Sequence, residues 1–197
     1  KVSGSSTCKN TERGVKKMKK MKIIILSILM VCLTTTNVFA GNFSGGFTSA
    51  KKKYNIILNE SFVNLITAKK AVRRWNKISN NVSLSYGGDY MRNKGINVSI
   101  GQISPPSKTA LGQTYYTYKG KKVSHDKKWD LALCIVYSSS KFSKNSKSIQ
   151  ATITHEVGHA LSLSHTKGKS DIMKQGVKDY IKLSDKDKEW LKKKWGQ

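Results

Sequence analysis

His155, Glu156, His159 and His165 are the residues of this chain whose types and spacing could do chemistry together. Three of the chain's four histidines fall in the run His155-Glu156-Val157-Gly158-His159-Ala160-Leu161-Ser162-Leu163-Ser164-His165. On a helix, residues i and i+4 sit about 40° apart and about 6 Å along the axis, so His155 and His159 share a face and can grip one metal ion. Glu156 projects beside them. His165 cannot join from a continuous helix, because the intervening residues add about 600° of rotation and carry it further along the axis. The chain therefore has to turn near Ser162 and fold back. Three neutral imidazoles with an open fourth position are the ligand set of a catalytic zinc site rather than a structural one. Zinc lowers the pKa of a water it holds to about 7, and Glu156 is placed to take that water's proton and pass it to a leaving amine. An HExxH pentapeptide alone also arises by chance on surface helices; the third histidine at this offset makes the pattern informative.

The elements that must position these residues follow from periodicity. Asn145–Leu163 reads as the helix carrying the two histidines, with Ile149, Ile153, Val157 and Leu161 on its packing face. Upstream, Tyr54–Leu58 is a strand. Ala68, Ala71, Val72, Trp75 and Ile78 then keep helical spacing opposite Lys69, Lys70, Arg73, Arg74 and Lys77, which predicts an amphipathic helix with Trp75 in the core. Val82–Tyr86 and Ile96–Ile100 alternate as strands, and Ala110–Tyr118 reads as an edge strand ending in a Lys119-Gly120 turn. Trp129–Tyr137 is nearly all apolar, which suggests a strand buried on both faces. His125 lies in a polar loop and reads as an exposed side chain. Ser184-Asp185-Lys186-Asp187 is a capping box opening a last helix, with Trp190, Leu191 and Trp195 on one side.

The histidine run resembles the metzincin zinc motif H-E-x-x-H-x-x-G-x-x-H. Thr154–Leu161 and Leu163-Ser164-His165 are most similar to its matrixin branch. Ser162 stands where the family has glycine, and a non-glycine residue held in the left-handed conformation costs about 1–2 kcal/mol. Ser170-Asp171-Ile172-Met173 resembles the metzincin Met-turn, which places a methionine, here Met173, beneath the metal. The resemblance covers about Tyr54–Gly196. It implies an α+β, zincin/metzincin-like fold, a twisted mixed sheet of about five strands with three helices, the central one bearing HExxH. It also implies one catalytic Zn2+ on His155, His159 and His165, with Glu156 as the catalytic general base. A protein or peptide substrate would add as a strand to the edge segment at Ala110, Leu111 and Gly112, and residues 175–180 would wall the pocket just beyond the scissile bond. Histidines for a second zinc are lacking, and calcium stays open, since no residue pattern indicates a site for it.

Compartment is read from the start of the chain. From Met18 or Met21, lysines precede the apolar run Ile23–Leu33, too short for a comfortable membrane span, and Asn37-Val38-Phe39-Ala40 offers a cleavage site after Ala40. The expected organisation is 1–17 as an upstream segment outside the fold and 18–40 as a signal peptide. A flexible mature N-terminus, 41–53, and a metalloprotease catalytic domain, 54–197, then follow. Lipid attachment at Cys32 competes, but the residue before it is Val31 rather than a small one. Cleavage would leave Cys134 alone, a buried thiol among Leu131, Leu133, Ile135 and Val136.

The chain carries 37 Lys+Arg against 11 Asp+Glu, a formal net charge of +26. Lysines are spread along it and no nucleic-acid-binding motif is present, so the charge reads as a solvated surface with no specific nucleic-acid partner. Weak association with anionic cell-wall or membrane surfaces is the remaining use for it, on a protein expected to be monomeric. The leading expectation is a secreted zinc endopeptidase. The alternatives are a secreted basic binding protein with a vestigial or structural zinc site, against which Glu156 argues, and a zinc hydrolase acting on a non-peptide bond.

Overall fold

A computed structural model of the protein describes residues 41–58, 64–87, 94–101, 104–138, 145–176 and 178–197, all within the compact unit Phe39–Gln197. The expected upstream and signal segments, 1–17 and 18–40, lie outside the described residues. In chain order the elements are β1 (Lys51–Leu58), α1 (Leu65–Arg73), β2 (Ser83–Tyr86), β3 (Gly95–Gly101), β4 (Gly112–Tyr118), β5 (Lys121–Val123), β6 (Leu131–Tyr137), α2 (Ser146–Ala160) and α3 (Asp185–Trp195). This is the α+β architecture expected, with a mixed sheet and three helices.

The sheet has six strands in the order β2-β1-β3-β6-β4-β5. β2, β1, β3 and β6 run parallel to one another, whereas β4 is antiparallel to both β6 and β5. The strand beyond the expected five is β5, a short return after the Lys119-Gly120 turn, where both residues take positive φ. Its pairing is limited to Tyr116–Tyr118, which leaves the first half of β4 as the open edge. Ala110 and Leu111 precede the strand rather than opening it, and Leu111 O accepts a hydrogen bond from Tyr137 N.

In β6, Ala132, Cys134 and Val136 are buried, with Cys134 reaching α2; on the opposite face Leu131 and Tyr137 are buried and Leu133 and Ile135 half-buried, so the apolar run is covered on that face at its ends and only partly in the middle. α1 packs against both α2 and the sheet, so it covers the same face as α2.

α1 begins at the Asn64 cap, whose Oδ1 accepts Thr67 N at 2.8 Å, and it ends at Arg73, not at Ile78 as the periodicity predicted. Asn76 pulls the chain out of the helix by pairing with both backbone groups of Leu84, and Lys77 follows at φ 65°. Trp75 is fully buried all the same, its Nε1 donating to Thr154 O in α2 at 2.9 Å.

The segment 41–53, expected to be flexible, is instead tied into the domain. Lys51–Lys53 belong to β1, and Phe47 and Ala50 are buried. Phe43 N donates to Ser162 O, Ser164 N donates to Gly41 O, and Lys194 Nζ donates to the carbonyls of Phe43 and Gly45. Glycine and serine content misled here because the segment's own backbone groups make these hydrogen bonds.

Candidate metal centre

α2 is capped by Asn145, whose Oδ1 accepts Ser148 N, and it carries Ile149, Ile153 and Val157 into the core. It stops at Ala160. Leu163 N donates to Gly158 O and Ser162 N to His159 O, the paired bonds of a Schellman ending, with Ser162 at φ 70° in the position that favours glycine. This is the turn that His165 needs in order to fold back. His159 and His165 then face each other with Nε2 atoms 3.2 Å apart, and His155 and His159 with Nε2 atoms 3.1 Å apart.

Carbonyl oxygens fix the ring tautomers. His155 Nδ1 donates to Ile172 O and His159 Nδ1 to Leu163 O, each at 2.7 Å. A carbonyl only accepts, so each Nδ1 holds the proton and each Nε2 presents a bare lone pair. Two such lone pairs at that distance repel unless a cation lies between them. Tetrahedral zinc with Zn–N bonds of about 2.0–2.1 Å would hold its nitrogens about 3.3 Å apart, so the residues fit the metal. The three ligand nitrogens lie within 4.8 Å of one another. Burial, followed by the neighbouring rings and Lys178, keeps the imidazoles neutral: His155 falls well below its ordinary value, His159 falls to about 3, and His165 is lowered too.

Glu156 points from α2 onto the backbone of β4. Thr114 Oγ1 donates to Glu156 Oε2 at 2.7 Å, and Cys134 Sγ donates to Glu156 O at 3.4 Å. Burial raises the carboxyl to about 7, opposed by the Thr114 bond and the charge of Lys178. Met173 lies under α2, its sulfur against Gly158, where a Cβ would collide with it. Asp187 holds that turn: Oδ2 accepts Ile172 N at 2.8 Å and Oδ1 accepts Met173 N at 3.1 Å.

The family model described as matrixin matches residues 52–196. The chain belongs to the matrixin family. Matrixin-type metallopeptidases use zinc, and His155, His159 and His165 are positioned to bind a metal ion. A crystal structure similar to this chain is that of archaemetzincin from Methanopyrus kandleri, at 9% identity and TM-score 0.47, covering 76% of this chain and 98% of that chain. No curated protein matches the chain.

In this matrixin the sequence-derived site residues His155, Glu156, His159, His165 and Met173 come together, and Gly112 joins them at the β4 edge. Ala110 and Leu111 lie just before that edge. Other residues at the matrixin centre carried no local signal. Phe43 stacks on His159 with ring centroids 5.7 Å apart, and His125, exposed as expected, packs at a tilt against Phe43 with centroids 4.5 Å apart. Thr114 and Cys134 reach Glu156 from β4 and β6, and Lys178 is buried nearby. Asp187 was legible as a helix cap, but its grip on the Met173 turn was not.

Proposed function

We propose that this matrixin is a secreted endopeptidase in which Glu156 is the general base. The convergence of three Nε2 lone pairs beside one carboxylate supports this reading most strongly. Zinc held there supplies a Lewis acid and a water nucleophile near neutral pH. Thr114 occupies Glu156 Oε2, which leaves Oε1 to receive the proton of the attacking water and deliver it to the leaving amine. The half-open β4, Gly112–Tyr115, offers unpaired backbone groups next to Glu156, so an extended peptide would add there main chain to main chain. Secretion rests on the basic and apolar residues of Met18–Ala40; among the described residues no helix is long and apolar enough to cross a membrane.

The test is cleavage of casein or gelatin by protein purified from the culture medium. Internal cuts that cease with a chelator and return with zinc are expected. Zinc-loaded protein that leaves both substrates and a varied peptide library intact would overturn the endopeptidase reading.

A further inference from the structure

The two carboxylate oxygens of Glu156 meet two residues of one strand. Gly112 and Thr114 are two apart on β4, so both face α2. Gln113 between them turns the other way, where Tyr115 Oη and Tyr137 Oη donate to its Oε1. Oε1 of Glu156 lies against Gly112, where a Cβ would stand 2.7 Å from it. Oε2 lies 2.7 Å from Thr114 Oγ1. Glycine thus leaves room for one carboxylate oxygen, and threonine bonds the other.

A hydroxyl has one proton to give, and Thr114 Oγ1 has two oxygens of Glu156 in reach. Oε2 is at 2.7 Å and the main-chain O at 3.1 Å. Cys134 decides between them. It pairs with Thr114 across the β4–β6 ladder, is fully buried, and donates from Sγ to Glu156 O at 3.4 Å. The main-chain oxygen therefore has a donor without Thr114, whereas among the described residues Oε2 has no other. The nearer, charged acceptor also makes the stronger bond. Threonine is β-branched and stiff at χ1, so the strand itself aims the hydroxyl.

We propose that Thr114 is the positioning residue of the catalytic carboxylate: its hydroxyl, with the gap at Gly112, fixes Glu156 in the orientation that keeps Oε1 free at the open edge of β4. The inference rests on the reading of Glu156 as general base. A free glutamate side chain samples several rotamers, and displacement of a reacting group by about 1 Å costs about 10²-fold in rate.

Two substitutions separate the hydroxyl from the shape of the residue. T114V keeps the branching and removes the hydroxyl; T114S keeps the hydroxyl and removes the branch. On a quenched fluorescent peptide that the parent cleaves, we expect kcat to fall about 10–100-fold in T114V, with KM and bound zinc near the parent's. T114S should keep most of the rate. In the E156Q background the same T114V change should cost less than about twofold, because the group it orients has lost its function. Parental kcat in T114V, equal impairment in T114S, a loss confined to KM or bound zinc, or an undiminished further loss in E156Q overturns the proposal. If the parent cuts no peptide, the general-base reading has failed. The grip on the carboxylate is then decided by crystal structures of the zinc-loaded parent and T114V. An unchanged Glu156 rotamer overturns the role of Thr114, and a displaced one supports it.

Discussion

Gly112 and Glu156 are packed so closely that a Cβ on Gly112 would stand 2.7 Å from Oε1 and 2.8 Å from Cγ of the carboxylate side chain. The glycine lets β4 and α2 approach until the carboxylate lies on the strand backbone, next to the open edge. G112A should therefore displace Glu156 without touching a histidine. A misplacement of about 1 Å at a reacting group costs about 10²-fold, so kcat is expected to fall by about that factor at unchanged zinc content. A variant with parental kcat would show that the contact is unimportant for the base.

Glu156→Gln keeps the shape and can still accept the Thr114 hydrogen bond through its amide oxygen. It cannot take a proton. General acid–base assistance contributes about 10²–10⁴-fold, so kcat should drop by at least that range while one zinc per chain remains. Steady-state kinetics with elemental analysis on the same sample checks this, and undiminished cleavage at equal zinc occupancy would remove Glu156 from the mechanism.

Ser162→Gly should stabilise the protein. Ser162 holds φ at 70°, and its buried Oγ makes no hydrogen bond among the described residues. Relief of about 1–2 kcal/mol of backbone strain, less the roughly 0.4–1 kcal/mol by which glycine loosens the unfolded chain, leaves a net gain of about 1 kcal/mol. For a domain of this size that is a rise in Tm of about 2–4 °C. A lower Tm would mean that the serine side chain contributes packing against Gly46 that outweighs its strain.

Asp187→Ala should loosen the metal centre from behind. The carboxylate accepts the backbone N–H groups of Ile172, Met173 and Ser184, and Ile172 O in turn orients His155. Leaving buried donors unsatisfied costs about 1–3 kcal/mol each where water does not reach them. We expect a loss of about 3 kcal/mol by denaturant unfolding, together with weaker zinc retention in a chelator competition. Asp187→Asn, which keeps an acceptor, should lie between the two. Equal zinc retention in all three proteins would confine Asp187 to a helix cap.

The sequence by itself determined which histidines can converge on one metal ion, because their case needs only helix geometry: residues four apart share a face, and a third histidine demands a turn. It also determined most strands and the last helix, since alternation and capping are local properties. It did not determine where α1 ends. Trp75 and Ile78 remain in or against the core after the helix has stopped, so apolar spacing continues across a boundary set by the Asn76–Leu84 pairing. Nor could it find Thr114, Cys134, Phe43 or Lys178. Thr114 meets Glu156 only because β4 lies antiparallel on β6 in one particular register, opposite Cys134. Phe43 meets His159 only because the segment before β1 pairs with Ser162. Spacing along the chain carries the chemistry that one helix turn can assemble; contacts between distant segments depend on register and packing, which exist only once the chain has folded.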